Sequence, residues 1–279
     1  MAGTLYLVPT PIGNLGDISQ RIADTLAEVD FIAAEDTRVS LKLLNHLDIK
    51  KPMVSYYRHN TEAGGQAVLS RLLAGESCAL VTDAGTPAVS DPGEELVAIC
   101  AANGVDVVAI PGPCALVTAL AVSGLPTGRF TFEGFLPMNK KNRKAHLDAL
   151  REEPRTMIFY EAPHKLLSTL EDLRSWFGGE RRLSVCRELT KLHEEVRRGT
   201  IEDALSWFGE HAPKGEFVLI LEGAAVREEE APTLEQGLAR VEALLEAGQS
   251  LRDAVRQTAK DMGLPRKALY DMAVSKNGN

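Results

Sequence analysis

Short apolar runs alternate with amphipathic stretches along the first half of the chain. The apolar runs predict strands over residues 5–8, 31–34, 53–57, 78–82 and 105–110. The intervening stretches have apolar residues at helical spacing, near residues 19–29, 41–47, 62–73, 96–104 and 115–123. Continuous apolar strands separated by helices are typical of a parallel sheet covered on both faces. We therefore predict an α/β domain over residues 1–123.

The stretch SGLPTGRF interrupts this alternation and is the predicted linker to a second unit. Strands are predicted there over residues 130–135, 156–160, 183–187, 195–199 and 217–222, and helices over residues 143–152, 166–177 and 201–208. The same reasoning predicts a second α/β domain over residues 124–225, again with a largely parallel sheet.

The last segment has no predicted strand. A charged linker, VREEEAPT, leads into helices predicted over residues 234–246, 251–262 and 267–274, so residues 226–279 form a predicted helical domain. A glycine between the last two helices is typical of a helix-turn-helix, although a helical pair packed on its own chain has the same pattern. The basic residues of this segment are Arg252, Arg256, Lys260, Arg266 and Lys267.

Composition narrows the class of protein. The 279 residues are 44% hydrophobic and carry a net charge of −8, so nucleic acid would have to bind through a local basic patch. The four cysteines lie far apart and the six histidines show no ligand spacing, which predicts reduced thiols and no metal site. No apolar leader or membrane-length apolar run occurs, which predicts a cytoplasmic protein that does not enter membranes.

Each predicted strand of the first domain ends in an unusual loop. These loops read PTPIGN, EDTR, RHN, DAGTPAVSDPG and PGP. Any one of them is explained by turn chemistry, but five at one sheet edge indicate a ligand cleft. A cleft of prolines and glycines presents backbone groups rather than side-chain charge, which suits a zwitterionic ligand better than a polyphosphate. Neither a Walker loop nor a G-x-G-x-x-G after the first strand is present.

Several longer motifs resemble the tetrapyrrole methylase family, and in particular its branch that methylates ribosomal RNA. They are LYLVPTPIGNLGDIS, AAEDTR, DAGTPAVSDPG, IPGPCALVTALAVSGLPT, FEGFLP and CRELTKLHEE, and the resemblance spans residues 5–223. It implies two α/β units with S-adenosylmethionine between them. It also implies methylation of the 2′-hydroxyl of a cytidine in the decoding centre of 16S rRNA, within the small ribosomal subunit, by a homodimer.

The resemblance also implies which stretches hold the methyl donor. The loop after the first strand forms one wall of the cleft, DAGTPAVSDPG and PGPCAL contact the donor, and FYEAP and KGEF contribute from the second domain. The implied donor contacts are Pro9, Thr10, Pro11, Asp83, Ala84, Gly85, Thr86, Ser90, Asp91, Pro92, Gly112, Pro113, Ala115, Leu116, Phe159, Tyr160, Glu161, Lys214, Gly215 and Glu216.

Methyl transfer to a hydroxyl group needs no metal, and a base that removes the hydroxyl proton accelerates it. The candidate bases at predicted strand ends are Glu35, Asp36, His59 and Glu188. Two alternatives remain open: the acids at 35 and 36 can pair with Arg38 or cap a helix, and His59 can be a buried hydrogen-bond partner.

Basic residues concentrate in the second domain, in NKKNRK, ERR and RR. Solvated loops give the same pattern, but three clusters in an acidic protein favour a surface that faces RNA. The predicted substrate contacts are Arg38, Asn60, Lys140, Lys141, Arg143 and Lys144.

Two rival functions remain. One is C-methylation of a tetrapyrrole, against which the VPTPIGN loop, the EDTR motif and the extra helices argue. The other is a DNA-binding regulator that senses a small molecule and binds duplex DNA through the C-terminal helices.

Overall fold

The computed structural model of the chain describes residues 1–225 and 232–277. It contains two compact units, Met1–Ala224 and Ala225–Asn279. The predicted charged linker over residues 226–233 lies mostly outside the described residues. The predicted boundary at residues 123 and 124 falls inside the first unit and stays a prediction.

The first sheet is parallel throughout, as predicted, with strand order β3-β2-β4-β1-β5. Its strands are β1 (Thr4–Leu7), β2 (Phe31–Ala34), β3 (Met53–Ser55), β4 (Cys78–Val81) and β5 (Asp106–Ala109). The helices of this half are α1 (Gln20–Glu28), α2 (Thr37–His46), α3 (Thr61–Leu73), α4 (Glu94–Ala102) and α5 (Ala115–Val122). Separate buried clusters lie on the two faces of the sheet, so its central strands are apolar on both sides.

The second sheet corrects the prediction of a largely parallel sheet. Its strands are β6 (Phe130–Phe135), β7 (Thr156–Glu161), β8 (Arg182–Arg187), β9 (Glu195–Thr200) and β10 (Phe217–Leu221), in the order β6-β7-β10-β8-β9. β6 and β7 pair in parallel, and the other neighbouring pairs are antiparallel. The helices are α6 (Lys140–Ala149), α7 (Leu166–Phe177) and α8 (Ile201–Glu210).

The prediction of a largely parallel second sheet was wrong for a physical reason. Helices α6, α7 and α8 cover one face of the second sheet, and α5 covers the other with Leu116, Ala119 and Leu120. The central strands are therefore apolar on both sides and have the continuous apolar pattern that is typical of parallel strands. Because α5 precedes the predicted linker yet packs on the second sheet, it also joins the two halves of the first unit.

The C-terminal unit has a core of its own. It consists of α9 (Leu234–Glu246), α10 (Leu251–Met262) and α11 (Arg266–Asn277). Leu238 and Val241 of α9 pack with Val255 of α10 and Leu269 of α11. The three predicted helices are confirmed. In the part of the chain that the structure describes, no helix is both long and apolar enough to cross a membrane.

Neighbouring aromatic residues of β7 lie on opposite faces of the second sheet, and they should respond differently to truncation. Phe159 is buried in the cluster beneath α7, so Phe159→Ala should lower the free energy of unfolding by about 3–5 kcal/mol. Tyr160→Phe keeps the ring and removes one hydrogen bond, for a loss of about 1 kcal/mol. Urea denaturation of both variants measures the difference, and equal losses would contradict this packing.

Candidate active site

Two backbone hydrogen bonds join the loop after β1 to the loop after β4. The Thr10 N–H donates to the Gly85 carbonyl at 2.9 Å, and the Gly85 N–H donates to the Thr10 carbonyl at 3.0 Å. The Thr10 hydroxyl also donates to the Thr82 carbonyl at 3.0 Å. Pro9 and Pro11 have no N–H, so the Thr10 N–H is the one backbone donor of the Pro-Thr-Pro triplet. The triplet is therefore a stiff wall with a single point of attachment.

The loop after β4 contains several backbone conformations that side chains disfavour. Positive φ angles occur at Gly85 (88°), Ala88 (64°), Ser90 (72°) and Gly93 (149°). A Cβ atom on Gly93 would lie 2.9 Å from side-chain atoms of Leu80 and Ala88, so this position also has no room for a side chain. Such strain persists where the surrounding contacts over-determine the backbone, and it is frequent at ligand sites.

A cavity of about 660 Å³ opens beside this loop, and both halves of the first unit line it. This volume suits a ligand of nucleoside size. The predicted donor contacts that line it are Asp83, Ala84, Gly85, Thr86, Ser90, Asp91, Ala115, Tyr160, Glu161 and Glu216. Among the predicted bases, Glu35 lines it.

Other predicted donor contacts lie behind the wall and position it. The Thr86 hydroxyl donates to the Pro113 carbonyl at 2.9 Å, and the Leu116 N–H donates to the Tyr160 hydroxyl at 3.1 Å. A Cβ atom on Gly112 would lie 2.8 Å from Pro9, so this glycine lets the two loops approach. Predicted contacts outside the cavity lining are Pro9, Pro92, Gly112, Pro113, Leu116, Phe159, Lys214 and Gly215.

Thr10 and Pro11 line a second cavity of about 290 Å³, on the side of α2. His46 and Lys42 of that helix contribute to its wall. The first-strand loop thus separates two cavities rather than facing one.

Several carboxylates lie on the wall of the cavity that residues 1–123 form. The Asp83 N–H donates to the Glu35 carboxylate at 3.4 Å, and the Asp36 N–H donates to the Asp83 carboxylate at 3.2 Å. Burial, together with the charge of nearby Glu35, raises the pKa of Asp91 to about 6. Burial likewise raises the pKa of Glu35 and of Asp83. A wall of desolvated carboxylates favours a cationic ligand, and it also suits proton transfer near neutral pH.

The other predicted bases, Asp36, His59 and Glu188, lie outside the cavity lining. Asp36 caps α2 and forms the ion pair with Arg38 that the sequence left open, and this pairing lowers the pKa of Asp36 to about 2. His59 lies outside the cavity lining on an exposed turn. Asn60 beside it accepts a hydrogen bond from the Tyr57 N–H at 2.7 Å. The roles of these residues stay predictions.

Glu188 belongs to a polar network with Lys191 and Glu216, and the side-chain stem of Lys191 contacts the loop after β1. Lys191 Nζ lies 2.8 Å from the carboxylates of both Glu188 and Glu216, and the Glu216 N–H donates to Glu188 at 2.9 Å. The Lys191 stem crosses Gly13 of the first-strand loop, where a Cβ atom would lie 2.3 Å from Lys191 Cγ. Gly215 makes room for the Glu188 side chain in the same way. Glu188 therefore fixes Glu216 at the cavity wall.

Arg143 is paired within its own half. Its guanidinium bonds Asp172 at 2.6 Å and the Thr169 hydroxyl at 2.8 Å, and Thr169 in turn donates to the buried Glu161 carboxylate. This arrangement leaves Arg143 positioning α7 behind the cavity. The neighbouring predicted RNA contacts Lys140, Lys141 and Lys144 are exposed.

Sequence reasoning missed several wall residues. Phe135 and Leu189 line the cavity and lie in FEGFLP and CRELTKLHEE, so the motifs marked them without assigning them a role. Cys186 also lines it, and burial raises the pKa of its thiol to about 11. Within residues 1–225 and 232–277, no group of three or more His, Cys, Asp or Glu residues is arranged to hold a metal ion.

Comparison with known proteins identifies the family. The family described as Tetrapyrrole (Corrin/Porphyrin) Methylases matches residues 4–205, and the RsmI C-terminal HTH domain matches residues 231–276. The chain is 48% identical over 272 residues to ribosomal RNA small subunit methyltransferase I of Synechocystis sp., covering 98% of each chain. It belongs to this methyltransferase family. The Escherichia coli O157:H7 member is 44% identical over 278 residues, covering 99% of this chain and 96% of that one.

Solved structures show the fold that the family shares with more distant enzymes. Diphthine synthase superimposes with a TM-score of 0.60 at 16% identity, over 79% of this chain and 90% of that one. Uroporphyrin-III C-methyl transferase from Thermus thermophilus, complexed with S-adenyl homocysteine, gives 0.56 at 18% identity, over 79% and 97%. At these identities the likeness establishes the tetrapyrrole methylase fold.

Gly85 should be essential for ligand binding. Gly85→Val places a branched side chain at positive φ, next to Ile12 and the Pro113 carbonyl, and should abolish calorimetric binding of S-adenosylmethionine. Gly104→Val is the matched control, because its φ is also positive (68°) and its Cβ would meet nothing within 4 Å. Both variants should lose about 1–3 kcal/mol of stability, but Gly104→Val should bind normally. Normal binding by Gly85→Val would falsify the assignment of this loop.

The raised pKa of Asp91 predicts a pH-dependent stability. Because its carboxyl has a pKa of about 6 in the folded chain, against 3.8 as reference, folding takes up a proton between these values and stability falls as pH rises through this window. An amide does not titrate, so the Tm of Asp91→Asn relative to that of the wild type should rise as pH increases from 4 to 7. Asp36→Asn should instead have a lower Tm than the wild type throughout this range, because the lowered pKa of Asp36 stabilises the fold above about pH 4 and this contribution is lost only as pH falls toward 2. Parallel Tm shifts in both variants would contradict this electrostatic origin.

Proposed function

We propose that the protein transfers a methyl group from S-adenosylmethionine to the 2′-hydroxyl of a cytidine in the decoding centre of 16S rRNA. The observation that carries the proposal is the likeness, over nearly the whole chain, to relatives named ribosomal RNA small subunit methyltransferase I. We further propose the small ribosomal subunit as the substrate, a homodimer as the active form and the cytoplasm as its location.

The cavity fits the proposed donor. Tyr160, Ala115 and Val218 supply apolar surface for an adenosine, and the carboxylates of Asp83 and Asp91 supply a negative field for a sulfonium and an ammonium group. Strained backbone in the loop after β4 brings peptide groups to the same wall. S-adenosylmethionine supplies an electrophilic methyl group on its sulfonium centre.

The chain's own part in the reaction is to position the reactants and accept a proton. Two backbone hydrogen bonds hold Thr10 to Gly85 on one side of the cavity, and the Lys191 network holds the opposite side. Together they fix the direction from which the reactants approach each other. Glu35 is the proposed base, because it lines the cavity and its raised pKa makes it a stronger proton acceptor than an exposed carboxylate. Burial raises the pKa of Glu35, and the charge of nearby Arg58 offsets part of this rise, which favours the ionised form that accepts the proton.

Each unit has a basic region that we propose contacts RNA. Lys140, Lys141 and Lys144 are exposed at the start of α6. In the C-terminal unit, Arg252, Arg266, Lys267 and Tyr270 line an open depression of about 550 Å³. Cations beside an aromatic ring suit phosphates and an unpaired base.

Two rivals remain distinguishable by experiment. C-methylation of a tetrapyrrole corresponds to the name of one structural neighbour, uroporphyrin-III-C-methyltransferase from Thermus thermophilus, but that protein is 22% identical, and likeness at this level concerns the fold alone. A co-purified pigment absorbing as a corrinoid or porphyrin would revive it. Specific binding of duplex DNA without methyl transfer to RNA would favour the regulator.

The decisive test is transfer of labelled methyl from S-adenosylmethionine to unmethylated small subunits, compared with naked 16S rRNA, followed by nucleoside analysis. We expect 2′-O-methylcytidine, formed faster on the subunit. Glu35→Gln should lower kcat by about 10²-fold or more while leaving calorimetric donor affinity unchanged. His59→Ala is the matched control, because His59 lies outside the cavity lining. If Glu35→Gln turns over normally and His59→Ala does not, the base is misassigned.

A further inference from the structure

Strand β6 contains a bulge at the cavity. Its register with β7 runs Phe132 to Ile158 and then Gly134 to Phe159, so Glu133 is an extra residue. Gly134 has φ +61°, and a Cβ atom on it would meet nothing within 4 Å. Glycine is therefore favoured here by the backbone conformation and not by lack of space.

The bulge changes which way the next aromatic side chain points. Residues 132 and 135 of an unbroken strand would lie on opposite faces, because side chains alternate. Here both rings meet Tyr160 edge-on, with centroids 5.0 Å away for Phe132 and 5.7 Å for Phe135. Phe135 consequently lines the cavity, and it remains 57% exposed. An aromatic ring is thus held at the mouth of the cavity with much of its surface in water.

We propose that Phe135 is a platform on which the base of the target nucleotide stacks when it leaves the RNA helix. The proposal rests on the function proposed above and names how its site engages RNA. A ribose inside a folded rRNA can enter the cavity more easily when its base is unstacked, and an exposed aromatic face lowers the free-energy cost of that state.

The chain after Phe135 supports an RNA partner. Met138 is 81% exposed, and Lys140, Lys141 and Lys144 follow on the surface of α6. Among the described residues, no carboxylate pairs with these lysines within salt-bridge distance, whereas Arg143 between them is paired with Asp172. An aromatic ring followed by unpaired cations is the combination that binds unpaired bases and their phosphates.

The adenine of the methyl donor is the other nucleobase that could stack on the Phe135 ring. Tyr160 is the aromatic side chain deeper in the cavity, where its hydroxyl is fixed by the Leu116 N–H. The exposed position of Phe135 favours a ligand that arrives from solvent and stays partly outside. The test must therefore measure both ligands separately.

The test compares Phe135→Leu, Phe135→Trp and Phe130→Leu in the full-length protein. We expect Phe135→Leu to raise KM for small subunits by about 5- to 100-fold, the scale of one lost base stack, with little change in kcat. Calorimetric affinity for S-adenosylmethionine should be unchanged, and Phe135→Trp should keep the wild-type KM. Phe130 is the matched control, because it is 40% exposed on the same strand but lies outside the cavity lining.

Each contrary outcome overturns the proposal. Weaker donor binding with an unchanged KM for subunits would assign Phe135 to the donor's adenine. Equal KM values for the leucine and tryptophan variants would reduce its role to apolar packing. If the wild type transfers methyl groups and Phe135→Leu has no effect, only the stacking role of Phe135 is contradicted. If the wild type transfers no methyl groups, the proposed function is contradicted as well.

Discussion

The mutual pair of hydrogen bonds between Thr10 and Gly85 is the contact on which the cavity depends. It fastens the proline-flanked loop after β1 to the strained loop after β4. From there, Gly13 admits the stem of Lys191, whose ammonium group holds Glu216 on the opposite wall. Both sides of the cavity are therefore connected through one short loop, and prolines make that loop stiff without adding charge.

The cavity costs stability that the rest of the fold supplies. Carboxylates with raised pKa values repel one another, and Ala88 and Ser90 adopt φ angles that side chains disfavour. Large buried clusters on both faces of each sheet offset these local costs. Well-packed sheets that support a strained loop at the cavity are the usual compromise between stability and function.

Short sequence patterns predicted the strands and loops whose structure depends on residues close together in the chain. The strand Phe31–Ala34 matches its prediction residue for residue, and the loop after β4 was marked by its glycines and prolines. Long-range facts were out of reach: Arg143 looks like a surface cation until α7 brings Asp172 beside it, 29 residues away. The antiparallel strands were missed because burial on both faces conceals strand direction. The bulge at Glu133 was not predicted although Gly134 is a local signal for it, because a glycine within a strand is compatible with several backbone conformations.

The buried thiol of Cys186 has a consequence for chemoselectivity. A thiolate is a far stronger nucleophile than a ribose hydroxyl, so an ionised cysteine in this wall would compete for the methyl group of the proposed donor and would itself become methylated. With a pKa of about 11, on the order of one Cys186 side chain in 10⁴ is ionised at neutral pH. The burial that raises this pKa, together with the hydrogen bond from the thiol to the Ala119 carbonyl, thus disfavours methylation of Cys186 itself.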